Sequence, residues 1–121
     1  MPIHNQRALV QATLAGTVLQ LAMVLIGHWT PAVARLFGIG GVLISLVAGV
    51  VYARLARPAP GAGAVGGAIA GGACALIGII VSFALGDVPA LILAVGTASS
   101  AVTGAIGGAA GALLSRRAVT A

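Results

Sequence analysis

The chain has 121 residues, 60% of them hydrophobic and only 6% charged, with a formal net charge of +5. An average soluble domain is roughly 25% charged, and a water-soluble fold of this length has too little interior to hide so much apolar surface, so composition excludes a soluble domain and points to a single integral membrane domain. The positive charge does not point to nucleic acid: the basic residues are all arginines that flank apolar runs, and no aromatic side chains are interleaved for base stacking.

A hydrocarbon core of roughly 30 Å takes about 20 helical residues, and the sequence contains four runs that meet this, at about 8–28, 31–55, 62–85 and 88–114. The expected fold is all-α: an integral membrane four-helix bundle with short connections. Strands fit poorly, because the runs are long and lack period-two alternation.

The first run follows Arg7 and carries Ala8, Ala12, Gly16 and Gln20 at four-residue spacing, with Gln11, Thr13 and Thr17 nearby. An amide near the middle of a bilayer needs a partner. For Gln20 this predicts a bond to another helix, with a pathway-lining role as the alternative. Ala32-Val33-Ala34 has the form of a signal-peptidase site, and cleavage there would leave three helices. The preceding apolar stretch is longer than the roughly 7–15 residues of a signal sequence and is interrupted by two glutamines, which favours an uncleaved first span.

Thr30 followed by Pro31 reads as a cap and first-turn proline opening the second run. That run carries Arg35 near its start, the row Gly41, Ser45, Gly49, and then Tyr52, Arg54 and Arg57 near its end. Trp29 and Tyr52 are expected at the two membrane interfaces. Pro58-Ala59-Pro60-Gly61 cannot continue a helix and marks the turn to the third run.

The third run opens on Gly61-Ala62-Gly63-Ala64-Val65-Gly66, which has dinucleotide-motif spacing but neither a preceding strand nor a following acidic residue. A lipid phosphate held at this helix start by Arg54 and Arg57 is a milder expectation. The run carries Gly63, Gly67 and Gly71, with Gly78 beyond, and its GAGAVGGAIAGG stretch is similar to the glycine-rich helix of ATP-synthase c subunits. It departs from that family where a proton would be carried, since no Asp or Glu lies in any span, and no site is transferred. Cys74 has no partner for a disulfide or a metal site and reads as a small buried apolar residue.

Asp87, Val88 and Pro89 read as the cap and first turn of the fourth run, which carries Gly96, Ser100, Gly104, Gly108 and Ala112 in one row. Asp87 is the sole acid, and an ion pair with Arg35 is the alternative to capping. Ser45, Ser82, Ser99, Ser100 and Thr103 are expected to bond the preceding turn of their own helix.

Arg7, Arg54, Arg57, Arg116 and Arg117 fall on one side of the four spans and Arg35 alone on the other, which predicts cytoplasmic N- and C-termini in a bacterial inner membrane. His4 and His28 then fall on opposite sides and cannot share a metal. Residues four apart share a helix face, and glycine costs about 1 kcal/mol of helix propensity relative to alanine, so a chain with 19 glycines needs a compensating cause. Close van der Waals contact between helices, which drives association in lipid, is that cause. Further glycines off the main rows, Gly66 and Gly72, then Gly107 and Gly111, predict a second neighbour for each of the last two helices, another subunit being one candidate.

No ionisable group lies at mid-depth, which argues against a proton-coupled exporter, and no nucleophile–base pair, metal cluster or cofactor motif points to an enzyme. The expected role is that of a structural or accessory subunit working through helix packing, as a homo-oligomer or with other membrane subunits and in contact with membrane lipids. The alternative is a passive channel or carrier formed by an oligomer.

Overall fold

The computed structural model describes the backbone of residues 3–120 and the side chains of residues 5–115. It consists of α1 (Ile3–Trp29), a single turn α2 (Pro31–Ala34), α3 (Phe37–Ala56), α4 (Pro60–Ala84) and α5 (Leu91–Thr120), with no strand among the described residues. Four of these helices, α1, α3, α4 and α5, are long and apolar enough to cross a membrane, as expected of a multi-pass membrane protein.

The second run is not one helix. The chain forms α2, turns at Arg35 and Leu36, and restarts at Phe37. Nothing local forces the break. Gly27, near the end of α1, lies directly beneath the Phe37 ring, so that a Cβ there would collide with it. The reversal from α1 into α3 is thus pinned by a contact between the two helices.

At the end of α3, Arg57 takes the left-handed conformation (φ 49°, ψ 51°) and donates its backbone N–H to the Ala53 carbonyl at 2.9 Å. Pro58 blocks continuation, and Pro60 opens α4 as a first-turn proline behind Ala59.

The α4 terminus differs from the expected Asp87 cap. Gly86, at φ +80°, ends α4: its N–H meets the Phe83 carbonyl at 3.0 Å and the Asp87 N–H meets the Ser82 carbonyl at 3.0 Å. These paired bonds form a Schellman motif that needs a residue tolerant of positive φ. Because α5 begins at Leu91, Asp87 lies too early to cap it.

Cross-helix contacts fix the directions. Gly16 faces Ala48 while Gly27 faces Phe37, so α1 and α3 are antiparallel. Gly63 faces Gly108 while Gly71 faces Ser100, so α4 and α5 are antiparallel, and Gly107 near Leu46 with Gly111 near Ala53 makes α3 and α5 parallel. The α4–α5 and α3–α5 interfaces are the most extensive. Helix α1 packs on α3 and α4, which also touch each other, so α1 and α5 occupy opposite corners of a rhombus. Arg7 and the α3–α4 turn lie at one end of the bundle, while α2 and the α4–α5 loop lie at the other.

Large apolar side chains point outward, including Leu14, Val18, Val65, Ile69, Val102 and Ile106, whereas the buried set is dominated by alanine and glycine. This inverts the pattern of a soluble bundle and suits an apolar surrounding.

Candidate functional site

The half of the bundle nearest the α3–α4 turn is closed by backbone against backbone. A Cβ at Gly67 would run into the Gly104 carbonyl, one at Gly104 into the Gly67 carbonyl, and one at Gly49 into the Gly104 carbonyl, with the Gly108 nitrogen at 2.8 Å. A Cβ at Gly63 would stand 2.6 Å from the Gly108 carbonyl oxygen and 3.1 Å from the Ala112 Cβ. Three helices therefore converge on a seam where main-chain atoms occupy the space that side chains would need. Gly71 belongs to the same seam, with its Cβ position 2.9 Å from the Ser100 carbonyl oxygen and 3.2 Å from that of Ser45.

The glycines off the main rows have partners within this chain. Gly66 receives the Tyr52 ring of α3, Gly72 faces Ala101, Gly107 faces the Leu46 carbonyl, and Gly111 lies 2.9 Å from the Ala53 Cβ, measured from the Cβ position. A second subunit is not required to fill these faces. Tyr52 is accordingly buried within the bundle, at 1% exposure. Trp29 is exposed and meets His28 edge-on at a centroid distance of 4.8 Å.

Hydrogen bonds stitch the seam to α1. Ser45 Oγ donates to the Gly71 carbonyl of α4 at 3.1 Å, so it bonds across helices and not to its own preceding turn. Cys74 Sγ donates to the same carbonyl at 3.3 Å. Gly16 of α1 sits against Cys74, its Cβ position 2.8 Å from the sulfur. Gln20, only 3% exposed, donates from Nε2 to the Gly41 carbonyl of α3 at 3.2 Å and approaches the Cys74 sulfur at 4.0 Å.

The other half of the bundle is hollow. A cavity of about 440 Å³ lies among α1, α3, α4, α5 and the α4–α5 loop. Its walls are mainly apolar, with Met23, Phe37, Ile79 and Ile92 as the largest groups, and its polar members are Gln20, Ser82, Ser99, Ser100 and Asp87. The hollow exists because the helices do not close there. A Cβ at Gly38 would meet nothing within 4 Å, one at Gly41 only Gln20 Oε1 at 3.7 Å and the Met23 methyl at 3.9 Å, and one at Gly96 chiefly the tip of Ile79 at 2.7 Å.

One polar atom beside this cavity lacks a protein partner. Ser82 is 2% exposed, and its Oγ has no hydrogen-bond partner among the described residues. Gln20 spends its Nε2 on the Gly41 carbonyl. Ser99 and Thr103 do bond back to their own helix, at 2.8 Å each, to Val95 and Ser99.

Asp87, on the cavity rim, pairs with His28 and not with Arg35: its Oδ2 lies 2.8 Å from His28 Nδ1. His28 sits in the last turn of α1, facing the α4–α5 loop, whereas Arg35 lies beyond the α2 turn with an exposed side chain. Arg54 and Arg57 are exposed at the opposite end, beside the start of α4. The side chains of Arg116, Arg117 and His4, placed above on the cytoplasmic side, lie outside the described residues. No group of three His, Cys, Asp or Glu side chains that could hold a metal occurs among the described residues.

Sequence reasoning singled out Gln20 but missed its neighbour Ser82, whose Ser-Phe-Ala-Leu-Gly context carries no local signal for a lining role. It also missed His28 as the partner of Asp87. Comparison of the chain with protein-family models, with curated proteins and with solved structures finds no match.

Proposed function

We propose that this chain is a small multi-pass protein of a bacterial inner membrane, with both termini cytoplasmic, that acts as a structural or accessory subunit. The observation that carries this reading is the backbone seam at Gly49, Gly67, Gly104 and Gly108, which fills the bundle centre at one end. The outward Leu, Ile and Val side chains supply apolar faces on which partner helices or lipid can pack. The arginine distribution supports the orientation, and Arg54 and Arg57 suit contact with anionic head groups.

Purification from native membranes in mild detergent, followed by mass analysis, tests the subunit role. The expected result is a defined complex, either of several copies or with a second membrane protein. Recovery of the chain solely as a monomer would remove this reading. Cysteine labelling at the termini in intact cells tests the orientation, and access from outside would reverse it.

The second reading is a passive channel or carrier formed by an oligomer. It is favoured by the polar members of the cavity, Gln20, Ser82, Ser99 and Ser100. Flux of small solutes through liposomes, abolished by Gln20→Leu, would select it over the first.

A further inference from the structure

We propose that the outer face of α1, at the Arg7 end of the bundle, is a binding site for an anionic glycerophospholipid, with the phosphate on Arg7 and an ester carbonyl on Gln11. Gln6, Arg7, Val10 and Gln11 line a shallow groove there, and all four are exposed. Helical spacing sets the face. Ala8, Ala12, Gly16 and Gln20 turn into the bundle and are buried, whereas Arg7, Gln11, Leu14 and Val18 lie on the opposite side of the same helix and are exposed. Helix α1 packs on α3 and α4 through the first side, so the second faces the surrounding lipid.

Depth and charge identify the occupant. The span Asn5–Trp29 has 25 residues, more than the roughly 20 that a hydrocarbon core takes. With the span centred in the bilayer, Arg7 falls at the edge of the hydrocarbon. Gln11 stands four residues further on, about 6 Å deeper and on the same face. A glycerophospholipid presents the same two levels: a phosphate and, one glycerol unit deeper, its ester carbonyls. The Arg7 guanidinium offers a positive charge and paired N–H donors to phosphate oxygens. The Gln11 amide offers N–H donors to a carbonyl. Gln11 makes no hydrogen bond to its side chain among the described residues, and an amide facing lipid chains needs a partner. Val10 and Leu14, both exposed, give an acyl chain apolar surface to lie on.

Charge favours an anionic lipid over a zwitterionic one. Asp87, the sole acidic side chain in the sequence, is paired with His28 at the other end of the bundle. The ammonium of a zwitterionic head therefore meets no acidic side chain beside Arg7. The site rests on the chain crossing a bilayer, not on the subunit role or on which end is cytoplasmic. It is also distinct from Arg54 and Arg57, which lie beside the start of α4.

The test uses the full chain in phosphatidylcholine nanodiscs doped with phosphatidylglycerol whose chains carry bromine, a quencher of tryptophan fluorescence. Trp29→Phe removes the one native tryptophan, and Leu14→Trp places a reporter on the proposed face. Val102→Trp, exposed at a matching depth on α5, is the reference. The preference for phosphatidylglycerol over phosphatidylcholine is expected to be about fivefold higher at the Leu14→Trp reporter than at the Val102→Trp reporter. Arg7→Gln should remove that excess, while Arg54→Gln with Arg57→Gln should leave it. Gln11→Leu should lower it about twofold for ester-linked phosphatidylglycerol and should not change it for the ether-linked form, which has no carbonyls. Equal preference at the two reporters, or an excess unaffected by Arg7→Gln, would overturn the site. Equal loss with ester and ether lipids on Gln11→Leu would overturn the carbonyl contact.

Discussion

The two ends of this bundle use the same residue type for opposite purposes. Toward the α3–α4 turn, Gly49, Gly63, Gly67, Gly104 and Gly108 bring main chains of three helices into contact, and an added methyl group would strike backbone. Toward the α4–α5 loop, Gly38 faces open space and Gly41 meets nothing closer than 3.7 Å, and the same omission of a side chain enlarges a cavity. A glycine seals when the opposite helix also lacks a side chain, and hollows when the opposite wall stands back. The pairing across helices decides the outcome.

Substitutions at matched positions put that contrast at risk. The largest effect is expected from Gly104→Val. Backbone cannot yield as a flexible side chain can, so overpacking should destabilise the bundle by about 3 kcal/mol or more, read as loss of folded protein in detergent unfolding. Retention of the unaltered midpoint would mean the seam is not closed. Ser45→Ala removes one hydroxyl bond from the same end and should lower stability by about 1 kcal/mol in the same assay; an effect as large as that at Gly104 would shift the emphasis from close approach to hydrogen bonding. At the open end Gly41→Ala should do the reverse. Its methyl group meets only ordinary contacts, at 3.7 Å and 3.9 Å, and helix propensity improves, for a gain of up to about 1 kcal/mol. A loss there would show the two ends to be alike. The smallest effect belongs to Asp87→Asn, which takes the ionic partner from His28. Both side chains are partly exposed, so the change should stay within about 1 kcal/mol and should leave the seam variants' ranking unaltered.

The spans themselves were legible in the sequence because apolar length is a local property. The break after Arg57 was legible for the same reason, although Pro60 and Gly61, assigned to the turn, belong to the first turn of α4. The helix break at Arg35–Leu36 was not, because Ala-Arg-Leu-Phe contains no breaker; only the folded chain shows the Phe37 ring lying over Gly27. The rows of small residues could be read, but their division into sealing and hollowing sets could not. Gly41 and Gly63 each head a similar four-residue repeat and differ in what stands across from them. The partner of Asp87 was hidden likewise: charge alone nominates Arg35, while the place where α1 ends brings His28 within 2.8 Å. Gln20 was visible as a polar residue amid apolar ones. Ser82 was not, since a serine in an apolar helix ordinarily bonds its own backbone and only the folded chain shows that this one does not.

The convergence of α3 and α4 on α5 has a consequence for how the protein is made. The helix that completes the seam is the last of the four to be synthesised. At roughly 5–20 residues per second, the 30 residues of α5 occupy the ribosome for roughly 2–6 s after the α4–α5 loop has emerged. Through that interval Gly63 and Gly67 lack the α5 backbone they pack against and are open to capture by another membrane helix. An insertion chaperone that shields glycine-lined surfaces, or slow codons placed elsewhere than in α5, would protect the yield of correctly assembled bundles.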